Sequence, residues 1–305
     1  MNSGYIIYNP QISTFIGNSI DLVNLPRVSF CIPTLNNQET IDKCLNSIVN
    51  QNYPDIEIII VDGCSKDGTI EIAKGYTSKI YIDKGSLGSA RQTSIEHSTG
   101  YVLALFDSDI VIPHNNWLIN QIKYFNYSND VSTVWSTCKV PSNASLIARM
   151  YRNLSSLVLE QRIKNGGLIG GGNALFLKNC LLDIGGINKS IHWGEDFDWA
   201  RRLRDRGFKV VVSEEPLYHD TMRSLGEYVK KQIIGARTFS KTGFGIMDSS
   251  KKDIIFIEIV LGFKQAIRGL IIDKDISWIL FPLLISIRIL VYAYVFLDYK
   301  IIDKK

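Results

Sequence analysis

The chain has 305 residues, 46% of them hydrophobic and 21% charged, enough apolar material for one large domain or two ordinary ones. A formal net charge of only +4, with no Lys/Arg run, argues against a nucleic-acid partner. The five cysteines (Cys31, Cys44, Cys64, Cys138, Cys180) are odd in number and form no Cys-x-x-Cys pair, which argues against a disulfide framework and a cysteine zinc site. They read as small buried residues of a reducing compartment. The N-terminus shows no basic region followed by an apolar core, so no secretory signal is expected and the cytoplasm is the expected location.

Residues 1–26 show no regular pattern and end at Pro26. After them, short apolar runs alternate with helical periods. Residues 28–32 are predicted as a strand closed by Pro33, and 37–51 as a helix with Ile41, Cys44, Leu45, Ile48 and Val49 on one face. The β-branched run 56–61 is expected as a strand buried on both faces. Its helix follows at 67–76, a short third strand at 79–82, another helix at 88–97 and a fourth strand at 101–106. Strand and helix alternating at this spacing mean βαβ units: a parallel sheet with helices on both faces and ligands bound beyond the carboxyl ends of its strands. The second half is less regular, with strands expected at 131–139, 173–178 and 209–213 and helices at 145–164, 197–206 and 224–240. The resulting parse is an N-terminal extension over 1–26, a compact α/β domain over 27–245 and a helical C-terminal segment over 246–305.

Asp107-Ser108-Asp109 follows the fourth strand. Two carboxylates one residue apart at a strand end can point to one side, and Mg2+ and Mn2+ favour such oxygen ligands while keeping waters and substrate phosphates elsewhere. The pattern alone equally describes a solvated turn capping a helix; its place at the end of a buried strand is what favours a metal. Asp62 ends the second strand, where a carboxylate can accept hydrogen bonds from a base or ribose, whereas Asp67 in Asp-Gly-Thr reads as a helix cap. Gly85-Ser86-Leu87-Gly88-Ser89-Ala90-Arg91 runs small residues into a helix start that offers N–H groups to an anion, with Arg91 as a fork suited to phosphate. Gly194-Glu195-Asp196-Phe197-Asp198 opens a further helix. Its acidic turn satisfies the dipole, and a general base held there would stay ionised near neutral pH, while Asp198 is expected to face back along the helix. The glycine-rich run ending Gly171-Gly172-Asn173 allows close backbone approach to a ligand, or is a plain connection. His219, after a strand, is structural or completes a metal or diphosphate site.

Taken in order, these segments resemble the family 2 glycosyltransferases of the GT-A fold, over roughly residues 27–240. The resemblance is carried by Val28-Ser29-Phe30-Cys31-Ile32-Pro33-Thr34-Leu35-Asn36-Asn37, Ile59-Ile60-Val61-Asp62-Gly63, Gly88-Ser89-Ala90-Arg91, Asp107-Ser108-Asp109, Gly171-Gly172-Asn173-Ala174-Leu175-Phe176 and Gly194-Glu195-Asp196. It implies an α/β, Rossmann-like mixed sheet and an inverting, metal-dependent transfer from a nucleotide-sugar donor, UDP-sugar ahead of GDP-sugar. It places Pro33, Thr34, Asn36, Asp62, Gly63, Gly88, Arg91, Asp107 and Ser108 around the donor nucleotide. Asp109 and Asp107, with His219, would hold Mn2+ or Mg2+. Asp196 would be the base with Glu195 beside it, and Gly171, Gly172, Asn173 and Trp193 would form the acceptor-side loop. Two departures concern the base pocket: Gly63 stands where many members have a second acidic residue, and Asn37-Gln38 precede Glu39. The Gln-x-x-Arg-Trp signature of processive synthases is missing, since the corresponding helix reads Gln232-Ile233-Ile234-Gly235-Ala236-Arg237, so a single-addition enzyme is expected.

The C-terminal segment is apolar. Residues 278–297 hold one charge, Arg288, near the middle, and Pro282 near the start. That length can span a bilayer, but a central Arg costs roughly 2.5–3.5 kcal/mol on insertion scales. An interfacial helix pair, with Lys251, Lys252, Lys300, Lys304 and Lys305 facing headgroups at the cytoplasmic face of a membrane, fits better than a span. A hairpin packed on the protein or on a second subunit is the alternative, which leaves an oligomer open. Membrane contact would suit a polyprenyl-linked acceptor as well as a saccharide. The competing functions are a polyprenyl-phosphate glycosyl synthase and a non-catalytic nucleotide-sugar-binding scaffold.

Overall fold

The structure, a computed structural model, describes residues 6–7, 23–164, 171–191, 194–219, 221–222, 224–242 and 259–302. Its strands are β1 (Ile6–Ile7), β2 (Val28–Thr34), β3 (Ile56–Asp62), β4 (Ile80–Ile82), β5 (Val102–Phe106), β6 (Ile110–Val111), β7 (Val131–Lys139), β8 (Asn173–Leu177) and β9 (Lys209–His219). They form one mixed sheet in the order β1-β9-β7-β8-β5-β2-β3-β4, with β6 paired to β9 off that path. β5, β2, β3 and β4 run parallel; β8 is antiparallel to both β5 and β7, and β9 runs parallel to β7.

Continuous burial along β2 and β3 follows from helices on both faces. Ile58 and Ile60 share a core with Ile41, Leu45 and Ile48 of α1 (Ile41–Val49) and Ala73 of α2 (Thr69–Lys74). Ile59 and Val61, pointing the other way, pack against Ala90 of α3 (Leu87–His97). The first face continues to α4 (Trp117–Lys123), where Phe30, Phe106 and Trp117 meet edge to face at 5.2 and 5.7 Å. Cys44 is fully buried on this face and Cys31 on the opposite one, and burial raises both thiols, Cys31 to about 12. The short α6 (Lys178–Asp183) follows β8, and Trp199 of α7 (Glu195–Asp205) packs edge to face on Phe176 of β8.

β1, β6, α4 and α6 have no counterpart in the pattern reading, and two predicted elements have different bounds. The first helix begins at Ile41 rather than 37, because the Asn37 side chain accepts hydrogen bonds from Leu35 N and Thr34 Oγ1 and turns the chain there. β9 runs six residues beyond the predicted end at 213, through Pro216 to His219. A bulge makes this compatible with proline: Ser136 pairs with Ser213, but Cys138 pairs with Leu217. The extension then pairs His219 with Ile110.

By its contacts the chain divides into two compact units, 1–139 with 170–219, and 140–169 with 220–305. The second unit contains α5 (Leu146–Lys164), α8 (Leu225–Thr242), α9 (Gly262–Ile271) and α10 (Phe281–Ile302). Met150, Leu154, Tyr228, Ala266, Trp278, Phe281, Leu284 and Ile285 form its core. Gly262 and Gly269 let α9 approach closely, since a Cβ there would lie 2.4 Å from Phe281 and 2.1 Å from Trp278. Asp275 accepts hydrogen bonds from Arg149 and Asn153, both at 2.8 Å, and from Ser277 N at 3.0 Å.

Candidate active site

The parallel strands β2, β3 and β5 end side by side, with Thr34 in register with Asp62. Beyond them two loops are laced together. Gly63 N donates to Thr34 O at 2.8 Å, Asn36 N donates to Ser65 Oγ at 2.8 Å, and Lys66 N donates to Asn36 Oδ1 at 2.8 Å. Asn36 holds the left-handed conformation this turn demands, with φ 53°, a region asparagine tolerates better than most residues. Asp62 is buried, and its two carboxylate oxygens accept from Ser65 N at 2.8 Å and Ser65 Oγ at 2.5 Å. Asp67, expected as the helix cap, lies one residue before it: Gly68 holds the cap position, and Asp67 accepts from Thr69 N at 3.1 Å.

After β5 the chain turns at Asp107. Its N–H donates to Gly172 O at 3.0 Å, and Oδ1 receives Arg91 Nη2 at 2.7 Å. Ser108 is buried. Asp109 Oδ1 lies 3.0 Å from His219 Nε2, brought there by the β6–β9 pairing. The ligand atoms of Asp107, Asp109 and His219 all lie within 4.8 Å of one another. Burial alone would lower the His219 pKa, but the charge and hydrogen bond of Asp109 outweigh it and raise it to about 10. Cys138, which sequence inspection passed over, sits against His219 and accepts from Asn173 Nδ2 at 3.4 Å. Only the bulged pairing of β7 with β9 reveals that neighbourhood. Asn173 is buried and also donates to Ser136 O. Gly171 has φ 133°, open to glycine and little else.

Arg91, read from the sequence as a fork suited to phosphate, is 3% exposed. Its Nε donates to Glu195 Oε1 at 3.1 Å while Nη2 holds Asp107. Glu195 is itself 3% exposed, and burial first, then Asp196 and Asp107, raise its carboxyl against the pull of Arg91. Asp196 is partly exposed; its Oδ1 accepts from Phe197 N at 3.0 Å, and burial raises its pKa too. Asp198 pairs back with Arg202 at 2.7 Å, as a helix-stabilising residue should. Gly88 lies under this helix start, where a Cβ would stand 2.6 Å from Asn188 O. Trp193 lies outside the described residues.

The strand ends thus gather carboxylates, an imidazole and glycine-rich backbone at the place where an open α/β sheet binds ligands. Residues 29–182 match the model for glycosyl transferase family 2. The chain is a family 2 glycosyltransferase. It is 30% identical over 219 residues to glycosyltransferase AglE of Haloferax volcanii, which covers 68% of this chain and 71% of that relative. It is 23% identical over 193 residues to the UDP-Glc:alpha-D-GlcNAc-diphosphoundecaprenol beta-1,3-glucosyltransferase WfgD of Escherichia coli, covering 60% of this chain and 72% of that one. Its fold is similar to that of mannosyltransferase PcManGT from Pyrobaculum calidifontis, solved with GDP-Man and Mn2+, at a TM-score of 0.60 and 17% identity over 90% of this chain and 89% of that one. The family 2 glycosyltransferase therefore has the GT-A fold and is a transferase, and the scaffold reading is set aside.

Proposed function

We propose that this glycosyltransferase moves a sugar, with inversion, from a nucleoside-diphosphate donor to a saccharide or polyprenyl-linked acceptor, with UDP-sugar favoured over GDP-sugar. The observation that carries this reading is the meeting of Asp107, Asp109 and His219 at one strand end. Two carboxylates and an imidazole in mutual reach suit a divalent ion such as Mn2+ or Mg2+, with room left for substrate oxygens. When bound, that ion supplies Lewis-acid stabilisation of the departing diphosphate.

The chain's own residues carry the remaining tasks. Pro33, Thr34, Asn36, Asp62 and Gly63, laced into one rigid edge, cradle the nucleoside, with Gly88 and Ser108 at the same end of the sheet. Asp196 takes the proton from the acceptor hydroxyl; a carboxyl raised by burial is a stronger base nearer neutral pH. Glu195, enclosed beside Arg91, does not reach the acceptor. Gly171, Gly172 and Asn173 border the acceptor side, and Trp193 is assigned there on sequence alone.

The second unit supports a place at the cytoplasmic face of a membrane. Residues 276–298 are long and apolar enough to cross a bilayer, with a mean hydropathy of 2.2 over their most apolar 18 residues. The exposed apolar side chains of α9 and α10, Ile271 and Leu290 among them, favour a lipid-linked acceptor. They also favour the polyprenyl-phosphate synthase as a second reading. A phosphate acceptor needs no base, so that enzyme would keep much of its activity as Asp196→Asn.

Calorimetric titration of UDP and GDP, with Mn2+ and with EDTA, tests the donor site. Metal-dependent binding of one nucleotide, abolished in Asp109→Ala, is the expected result. A folded wild-type protein that binds neither nucleotide would remove the reading.

A further inference from the structure

We propose that Arg91 is a positioning residue: it fastens the cation-side carboxylate Asp107 to Glu195 at the start of α7, and so ties the charge of the proposed ion site to the placement of Asp196. The idea rests on the reading of Asp107 as a cation ligand and adds a role for two residues that this reading leaves idle.

The link is built, not incidental. Arg91 and Glu195 are both almost wholly enclosed, at 4% side-chain exposure each, and a buried guanidinium persists only where anions neutralise it. Asp107, 35% exposed, is the member that still faces the cleft. The Nε and Nη2 donors, which commonly grip one carboxylate together, are divided here between two. Two glycines on either side make room for the arrangement. At Gly172 a Cβ would stand 2.2 Å from Asp107 Oδ1 and 2.7 Å from Arg91 Nη2. At Gly88 it would meet backbone oxygens of Asn188 and Ile191 and come within 3.5 Å of Glu195 Cβ. A side chain at either position would force the strut apart.

The consequence is a shared charge. Glu195 offers no ligand to the Asp107, Asp109 and His219 cluster, yet it neutralises Arg91, which would otherwise draw electron density from Asp107 alone. Outer partners of metal-binding side chains commonly change ion affinity or activity by 10–100-fold. Glu195→Gln should therefore weaken Mn2+ binding roughly tenfold. Arg91→Gln should leave Mn2+ binding as tight or tighter, because it removes a cation, and yet lower kcat. A lysine keeps the charge but not the planar fork whose Nε and Nη2 donors are each aimed at a different carboxylate, so Arg91→Lys should lose kcat as Arg91→Gln does, with little change in donor KM.

The test is Mn2+ titration of the full chain, followed by electron paramagnetic resonance, for wild type, Glu195→Gln, Arg91→Gln and Asp109→Ala, with kcat and donor KM measured for the two arginine variants. Circular dichroism checks that each is folded, and the near-isosteric Glu195→Gln guards against collapse of the arginine variants. Weaker Mn2+ binding in Glu195→Gln with none lost in Arg91→Gln supports the strut, since misfolding would weaken both. If Asp109→Ala loses Mn2+ while Glu195→Gln binds as wild type does, the strut is wrong and the function stands. If Arg91→Lys keeps kcat and raises only donor KM, Arg91 is a donor contact and the strut is wrong. If wild type binds no Mn2+, both readings fall.

Discussion

Single buried charges show how this sequence spends its polar residues. Glu57, on β3 at the end away from the site, is 4% exposed and accepts from Lys79, Ser29, Thr99 N at 2.8 Å and Thr99 Oγ1 at 2.9 Å. Burial pushes its carboxyl up, but these partners outweigh it and hold it at about 2. A depressed carboxyl stabilises the fold above its unfolded value near 4.5, and that contribution disappears as pH falls toward 2. The shift corresponds to roughly 3 kcal/mol. Urea midpoints should therefore fall between pH 5 and pH 2, and Glu57→Gln should flatten that fall; an unchanged pH profile in the variant would contradict the assignment. His219 has the opposite sign. Its raised pKa means that the Asp109 pair stabilises the ion-free protein fully below pH 6.5 and is lost as pH climbs through about 10. The Asp107 and Asp109 pair was legible because it stands at the end of a buried strand. The pairing of Arg91 with Glu195 was not, because nothing local reveals a partner 104 positions away.

At the scale of elements, the parallel strands read directly from the sequence because strands buried on both faces are continuous apolar runs. β9 runs past the apolar stretch that predicts it, and only the register of β7 shows that a bulge absorbs Pro216. That shortfall hid the means by which His219 reaches Asp109. Close helix approaches are equally silent in sequence, since a glycine within a helical period looks merely unfavourable. Gly269 is such a case: Gly269→Ala puts a methyl 2.1 Å from Trp278 and should destabilise the second unit by about 1–3 kcal/mol through overpacking. Chemical denaturation should register that loss, whereas Leu290→Ser, on an exposed position of α10, should change stability by less than about 0.5 kcal/mol. Equal losses for both would mean that α10 buries Leu290 as well.

For the whole molecule, the boundary suggested by composition near 245 and the one drawn by contacts fall at different places. Composition marks where the sequence turns apolar, while contacts place α5 and α8 with α9 and α10 through Met150, Leu154 and Tyr228. The second unit then presents a sorted surface. On α9, Gly262, Ala266 and Gly269 face inward, Phe263, Ile267, Leu270 and Ile271 are exposed along one stripe, and Lys264 and Arg268 stand exposed beside it. Apolar residues flanked by lysine and arginine suit a helix lying in the headgroup plane of an anionic bilayer. α10 is more ambiguous in composition, but Arg288 lies mid-helix with its guanidinium 5.4 Å from the Tyr292 ring, an awkward charge for the centre of a span. The expected outcome is co-flotation with vesicles containing anionic lipid, weakened by Lys264→Glu with Arg268→Glu and by raised salt. Membranes washed in alkaline carbonate should release the protein if it lies in the interface. Retention after that wash, together with binding indifferent to lipid charge, would instead make 276–298 a true span and leave α9 outside the bilayer.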